Sequence, residues 1–234
     1  VEYYPKCGER LHLVPPGIST DRKSERRDPE MRASLRAELS VSENEVLLLQ
    51  VGSGFKIKGV DRALYAIASL PAHWRKRTRY VLVGRGRPNK YLRLARKLGI
   101  SELVTVLPGR DDIPRFLQGA DLLLHPAYME SAGYVLLEAT ISGLPVLTTA
   151  SCGYAFHVEQ AQSGEVCAEP FQQAELNKRL LGMIERLPTA DWSAKGLVYG
   201  ERTELYTLPQ AASEIIENLA VAAGESRGSQ GESL

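Results

Sequence analysis

Two carboxylates, Glu130 and Glu138, flank the start of a segment with helical character. If Ser131 caps that helix, the next four backbone N–H groups have no carbonyl partner within it, so the first turn favours an anion. Those groups belong to Ala132, Gly133, Tyr134 and Val135. Carboxylates accept hydrogen bonds from sugar hydroxyls and repel phosphates. The pattern therefore predicts a ligand with a central diphosphate and a hydroxylated ring on either side. The alternative is an ordinary helix start with a solvated glutamate.

A glycine-rich segment, VGSGFKIKG over residues 51–59, is a second candidate for phosphate binding. Its glycines, Gly54 among them, expose backbone N–H groups ahead of a predicted helix. Lys56 and Lys58 add positive charge at the same place. The spacing matches neither the GxGxxG dinucleotide fingerprint nor the P-loop. A surface loop with two solvated lysines is the alternative interpretation.

Other chemically capable residues are better explained by structure. His125 ends an apolar run and is expected to be packed or bonded to backbone, and Gly84-Arg85-Gly86 is typical of a turn. No base partner is placed beside Cys152, so a nucleophilic cysteine is not favoured. The three cysteines show no CxxC or paired His/Cys spacing, which predicts neither a disulfide framework nor a metal site. They are Cys7, Cys152 and Cys167.

Short apolar runs that end in Gly or Pro alternate with longer amphipathic segments, which is the pattern of βα units. The runs are rich in Val and Leu, as expected of parallel strands covered on both faces. The predicted strands are 45–52, 79–84, 103–108, 121–126, 145–149 and 165–168. The predicted helices are 60–70, 88–98, 113–118, 133–142 and 171–187. The fold class is therefore α/β with a doubly wound parallel sheet, which binds ligands beyond the carboxyl ends of its strands.

The ends of the chain differ from this pattern. Residues 1–40 are expected to form a linker segment with a short strand at 11–14 and a charged lead-in to a helix. The α/β domain is expected to span 41–208, and a further helix 209–223. The tail, 224–234, has nothing to bury and is expected to be disordered. The first residues read as mid-protein sequence, which predicts a fragment of a longer protein.

Composition excludes several classes of protein. The 234 residues are 44% hydrophobic and 24% charged, as in a globular protein with a core, and the apolar runs are far shorter than a membrane helix needs. A net charge of +1 argues against nucleic acid as a partner. The segment 62–101 nevertheless carries eleven basic residues and no acidic one. We expect most of these residues to be solvated on the flank of the domain, with an anionic membrane as a candidate partner for residues 74–79.

The E-x7-E pattern after a strand that ends in His-Pro, together with the glycine-rich segment, resembles the retaining glycosyltransferases of family 4. The phrases LLLQVGSGFKIKGVDR, ADLLLHPAYMESAGYVLLEA and SGLPVLTTASCGYA carry this resemblance. It extends over about residues 11–223 and is strongest to members that act in lipopolysaccharide core synthesis. It implies the Rossmann-like C-terminal domain of a GT-B fold, which is the half that binds the nucleotide sugar.

The resemblance also implies roles for single residues. Lys58 would contact the donor diphosphate and Glu130 a hydroxyl of the transferred sugar, and both are expected to be catalytic. Glu138 would bind the ribose hydroxyls. Arg22 matches a linker arginine that reaches the donor, and Arg110 lies in the loop that frames the base. The other expected donor-binding residues are Gly54, Lys56, Ser131, Ala132, Gly133, Tyr134 and Val135.

One position departs from the family. An arginine usually stands directly before the lysine, and here that position is Ile57. Lys56 can supply the missing charge only if the loop backbone is shifted. We therefore expect lower affinity for the diphosphate or slower turnover.

The activity that the resemblance implies is transfer of a hexose from a UDP-hexose, UDP-glucose above all, with retention at the anomeric carbon. Front-side attack would need no protein nucleophile, no cofactor and no metal. The glycolipid acceptor would bind through an N-terminal domain, so the chain alone is expected to be inactive. The expected location is the cytoplasm, with the inner face of the membrane as a further contact. The alternative is a non-catalytic nucleotide-sugar-binding module.

Overall fold

The computed structural model describes residues 11–12, 14 and 16–228, and these fall into two compact units. The larger unit, Arg22–Glu201, contains the sheet. The smaller unit combines Val1–Asp21 with Arg202–Leu234. Within the smaller unit, the Ile18 amide donates to the carbonyl of Leu205 over 3.4 Å, which links its two chain segments.

Six parallel strands form the sheet in the order β3-β2-β1-β4-β5-β6. They are β1 Val46–Val51, β2 Thr78–Val83, β3 Val104–Leu107, β4 Leu122–His125, β5 Val146–Thr149 and β6 Gly164–Cys167. On one side of β1 the sheet continues with β2 and then β3. On the other side it continues with β4, β5 and then β6. The direction of winding therefore reverses between β1 and β4, and a crevice is expected beyond their carboxyl ends.

Side chains alternate along each strand and build a core on each face of the sheet. Leu48 lies in one core, and its neighbours Leu47 and Leu49 lie in the other. All three leucines are buried. Because both faces lose contact with water, every position of a central strand gains from an apolar side chain. This explains the continuous Val/Leu runs.

Ten α-helices lie within the described residues. They are α1 Pro29–Glu38, α2 Val60–Ala68, α3 Ala72–Lys76, α4 Asn89–Lys97, α5 Ile113–Gly119, α6 Tyr134–Ile141, α7 Ala155–Ala161, α8 Gln173–Arg186, α9 Trp192–Tyr199 and α10 Leu208–Gly228. All predicted strands and helices between 45 and 187 are confirmed, with ends shifted by a few residues. Helices α3, α7 and α9, of five to eight residues, were not predicted.

A buried cluster of arginines joins α1 to the sheet. Arg27 donates to the carbonyl oxygens of Leu117 and Ala120 over 2.7 and 2.6 Å, and burial lowers its pKa to about 10. Arg36, 1% exposed, pairs with Asp121 at 3.0 Å. Asp121 also accepts from the Leu47 amide over 2.7 Å, so one carboxylate links α1, β1 and the start of β4.

The two ends of the chain differ from the predicted elements. The predicted strand at 11–14 is absent from its described residues, where Leu11 and Val14 are exposed and have no partner strand. Of the tail predicted to be disordered, residues 224–228 continue α10. Extending an existing helix is far easier than starting one, so a polar segment can continue it. Residues 229–234 lie outside the described part of the chain.

The basic segment 62–101 is spread over α2, α3, β2, α4 and their loops. Several of its residues are engaged. Arg79 pairs with Glu45, and Arg77 donates to the Asn44 carbonyl over 2.9 Å. No helix in the part of the chain that the structure describes is both long and apolar enough to cross a membrane.

The loops after β1 and β4 meet at Gly59, which caps α2 in a left-handed conformation with φ of 66°. A Cβ atom built there would lie 1.9 Å from the Pro126 carbonyl oxygen. Nearby, the Tyr128 amide donates to the Ile57 carbonyl over 2.8 Å. Only glycine combines this backbone angle with so close an approach.

We predict that Gly59→Ala lowers the free energy of unfolding by about 3 to 5 kcal/mol, because strain is added to a clash with buried backbone. Gly99→Ala is the matched control: its φ is 69°, and no described atom outside the adjacent residues lies within 4 Å of an added Cβ. The control is expected to cost only about 1 to 2 kcal/mol. Denaturant unfolding measures both values, and equal losses would contradict the proposed close contact.

Candidate functional site

A cavity of about 460 Å³ opens where the loops after β1 and β4 meet, at the switch point of the sheet. It brings together most of the residues that the sequence singled out. Val51, Gly52, Ser53 and Lys58 come from the first loop, and His125, Glu130, Ser131, Ala132, Gly133, Tyr134 and Val135 from the second. The two separate candidates for phosphate binding therefore form one site.

Lys58 is held by both its backbone and its side chain. The buried Gln50 side chain of β1 donates to the Lys58 carbonyl over 2.6 Å. The aliphatic stem lies beside Gly52, where a Cβ would come within 3.2 Å of it. The Lys58 ammonium pairs with Oε2 of Glu130. Because both side chains are less than 20% exposed, this ion pair is little screened by solvent.

The turn from β4 into α6 is held by the loop that follows β5. Glu130 donates its amide to the Ser151 carbonyl over 3.2 Å and accepts from the Gly153 amide over 2.9 Å. The Tyr154 amide donates to the Ala132 carbonyl over 2.7 Å. These bonds fix the backbone of the turn from a separate strand.

Helix α6 begins at Tyr134, and Gly133 is its N-cap in a left-handed conformation with φ of 91°. The prediction that Ser131 caps this helix is therefore wrong. A glycine cap supplies no side-chain acceptor, and no cap hydrogen bond from a side chain is formed at this position. The first N–H groups of α6, from Tyr134 and Val135, thus remain available to an external anion.

The aromatic rings beside this turn pack on one another. The Tyr134 and Tyr154 rings meet edge to face with centroids 5.3 Å apart. Burial and a hydrogen bond with Tyr134 raise the pKa of Tyr154 to about 12. The Tyr154 ring therefore remains neutral and brings no negative charge to a site that suits an anion.

His125 is completely buried, as predicted, but it is not bonded to backbone through its ring. Neither ring nitrogen has a hydrogen-bond partner among the residues that the structure describes. Burial and the nearby positive charge of Lys58 lower its pKa to about 3. The imidazole is therefore neutral at physiological pH, and it faces the cavity.

Glu138 and Arg22 lie together, with 4.0 Å between a guanidinium nitrogen and a carboxylate oxygen. Each side chain is about a quarter to a third exposed. The two residues are 116 positions apart in sequence, and the structure brings Arg22 next to Glu138 of α6. That Arg22 reaches the donor stays a prediction. Neither residue is part of the cavity lining given above.

Three expected donor-binding residues lie away from the cavity lining. Gly54 adopts φ of 76° and faces open space, and Lys56 is exposed. Arg110 is bound in an ion-pair cluster with Asp112 at 2.7 Å and Glu38 at 3.1 Å. Its guanidinium is thus engaged in holding α1 and α5 together. Roles for these residues in donor binding stay predictions.

Two further groups shape the site, and neither was among the expected donor-binding residues. The first is the backbone of 151–154, for which the glycine at 153 was a signal, since a Cβ there would lie 2.1 Å from the Ser131 carbonyl oxygen. The second is Arg62, stacked between the Tyr128 and Phe171 rings at 3.6 Å from each and donating to the Ala127 carbonyl over 2.9 Å. No local pattern indicates such a contact. In the described part of the chain, no cluster of three potential metal-binding side chains occurs.

Comparison with known proteins finds glycosyltransferases among both sequences and solved structures. The chain is 45% identical to the lipopolysaccharide glucosyltransferase WaaG of Escherichia coli (strain K12), across 92% of this chain and 58% of that protein. A crystal structure of WaaG, described as involved in lipopolysaccharide biosynthesis, matches with 46% identity and a TM-score of 0.84, over 89% of this chain and 56% of that one. The chain thus spans just over half the length of this relative.

A second solved structure, Anabaena Alr3699/HepE in complex with UDP-glucose, matches with 25% identity and a TM-score of 0.74. The match covers 86% of this chain and 56% of the HepE chain. The predicted Rossmann-like parallel sheet of a GT-B fold is confirmed by these matches and by the strand order. The model of the family described as glycosyl transferases group 1 matches residues 31–191. The chain therefore belongs to the group 1 glycosyl transferases.

Proposed function

We propose that this chain binds a UDP-hexose, UDP-glucose in the first instance, and supplies the donor half of a retaining glycosyltransferase of lipopolysaccharide core or related glycan synthesis. The observation that carries the proposal is the cavity in which Lys58, Glu130 and the start of α6 converge. It combines a cation and free N–H groups for a diphosphate with a carboxylate for hydroxyls. The names of two relatives, a glucosyltransferase and a complex with UDP-glucose, support the choice of donor.

In this proposal Lys58 leaves Glu130 when the donor enters and binds the diphosphate. Cleavage of the bond between sugar and phosphate leaves additional negative charge on the departing diphosphate. Lys58 and the N–H groups of Tyr134 and Val135 stabilise that charge in the transition state. Glu130, released from the lysine, accepts from a hydroxyl of the transferred sugar. Glu138 in α6 and its neighbour Arg22 bind the ribose end of the donor.

The acceptor is proposed to be a glycolipid that binds largely through the part of the relatives that this chain does not span. The roles proposed above support this, since all of them concern the donor. The chain alone is then expected to bind donor and to transfer sugar very slowly. Addition of an N-terminal partner domain and a heptose-bearing acceptor tests this expectation by release of UDP.

A second candidate function is a nucleotide-sugar-binding module without catalysis. The observation that favours it is Ile57, which is 49% exposed and directly precedes the cavity residue Lys58. The family resemblance implies an arginine at this position. Silence in the UDP-release assay, with intact binding of UDP-glucose, would support this module.

We predict that Lys58→Met weakens binding of UDP and of UDP-glucose about tenfold or more, because a hydrogen-bonded charge on the diphosphate is lost. Methionine keeps the stem that lies beside Gly52. Lys97→Met, at an exposed position of α4, is the control of equal charge and is expected to change affinity less than about twofold. Titration calorimetry measures the values. Equal affinity of the Lys58→Met and wild-type chains would remove Lys58 from the phosphate site.

We also predict that Ile57→Arg raises the affinity for UDP about fivefold, because it restores a positive charge near the diphosphate. The position is half exposed and its backbone bond to Tyr128 is unaffected by the side chain, so the fold should tolerate the change. Ile57→Gln controls for length and polarity without charge. If both variants bind UDP as the wild type does, the missing arginine does not limit diphosphate binding.

We propose a cytoplasmic location with contact to an anionic membrane through the segment 74–79, of which Lys76 and Arg77 are exposed. Lys76→Gln with Arg77→Gln is expected to weaken binding to phosphatidylserine vesicles about tenfold or more, at about 1 kcal/mol per basic residue. Arg96→Gln with Lys97→Gln removes the same charge from α4 and should have a smaller effect. Vesicle sedimentation measures both. Equal losses would show that only net charge matters.

A further inference from the structure

His125 is a buried polar group in the site to which no role has yet been given. It ends β4, is 0% exposed and lines the cavity together with Lys58 and Glu130. Both of its ring nitrogens lack a hydrogen-bond partner among the described residues. Burying a polar group without a partner is unfavourable, and such groups are rare in folded proteins. The histidine is therefore kept at this position at a cost to stability.

The geometry relates this ring to one oxygen atom. Nε2 of His125 lies 3.6 Å from Oε2 of Glu130. Lys58 contacts that same oxygen through Nζ. A separation of 3.6 Å is longer than a hydrogen bond, which needs about 2.9 Å. The imidazole therefore lies beside the Lys58–Glu130 ion pair, and its Nε2 would have to approach Oε2 by about 0.7 Å to reach the usual hydrogen-bond length.

Its protonation state fits a donor of one hydrogen bond. Burial and the positive charge of Lys58 keep the ring neutral, with a pKa of about 3. A neutral imidazole carries a single N–H, and the tautomer with hydrogen on Nε2 directs it at the carboxylate. A doubly protonated ring would instead repel the lysine beside it.

We propose that His125 is a positioning residue for Glu130, an inference that rests on the donor-binding function proposed above. When the diphosphate draws Lys58 away, the N–H at Nε2 of His125 donates to Oε2 of Glu130 and replaces the lost partner. Oε1 of Glu130 then accepts from the sugar hydroxyl. No proton is transferred and no covalent bond changes in this exchange.

Charge explains why the exchange occurs in this direction. A diphosphate carries more negative charge than a single carboxylate and therefore attracts the Lys58 ammonium more strongly. Glu130, 16% exposed, would be left with little solvent around it and without a cation. The neutral His125 imidazole beside Glu130 stabilises the carboxylate by donating a hydrogen bond, and it does not compete for the phosphate.

The direct test follows the His125 ring by NMR in the full chain labelled with ¹⁵N-histidine. The chain has four histidines, and the His125 signals are those lost in His125→Gln. We expect an Nε2-protonated tautomer whose Hε2 resonance moves downfield when UDP is added, and no such movement in Glu130→Ala. An Nδ1-protonated ring with and without UDP would overturn the proposal.

Donor affinity provides the second test, by calorimetry with UDP and UDP-glucose. His125→Leu is expected to lower UDP affinity about threefold, because Glu130 then loses Lys58 without a replacement partner. It is expected to lower UDP-glucose affinity about tenfold, because Glu130 is also no longer oriented toward the sugar hydroxyl. His125→Gln places an amide N–H near the position of Nε2 and should recover most of the loss. His157→Gln, which removes another buried imidazole, outside the cavity lining, should leave the ratio of the two affinities unchanged.

Different results would contradict the donor-binding function and the role of His125. If the wild-type chain binds neither UDP nor UDP-glucose, the donor-binding function is wrong and the role of His125 falls with it. If the wild-type chain binds both and His125→Leu keeps the wild-type ratio of affinities, only the role of His125 is wrong. Unfolding midpoints of all variants show whether a loss of binding comes from a loss of fold.

Discussion

The close approach of Gly59 to the Pro126 carbonyl is the contact on which the site depends. It brings the loop after β1 against the loop after β4 at the point where the sheet reverses its winding. Lys58 stands next to this contact and reaches Glu130 across it. With a larger residue at 59 the loops would separate, and the cation and the carboxylate would no longer share one cavity.

Groups around this contact hold the backbone of the site residues in place. The Gln50 side chain donates to the Lys58 carbonyl, and the loop after β5 bonds to the backbone of Glu130. Arg62, stacked between two aromatic rings, holds the intervening loop at Ala127. The charged groups of the site are thus supported by three separate parts of the fold, namely β1, the loop after β5 and α2. This preorganisation lets the N–H groups of α6 face an anion without rearrangement.

Much of the fold could be predicted from the sequence, because its strongest signals are local. Continuous Val/Leu runs indicated strands such as 121–126, since a strand buried on both faces needs apolar residues at each position. The end of the chain was predicted less well. Residues 224–228 look polar, yet they extend α10, because helix extension depends on the preceding turns rather than on burial.

The sequence by itself determined the residue types of the site, its place after β1 and β4, and its family resemblance. Tertiary structure alone decided that Gly133, not Ser131, caps α6, that Lys58 pairs with Glu130, and that Arg110 is engaged by Asp112 and Glu38. The physical reason is range. Periodicity and turn preference act between neighbours in sequence, whereas an ion pair or a buried imidazole depends on contacts between segments that only the packed sheet brings together.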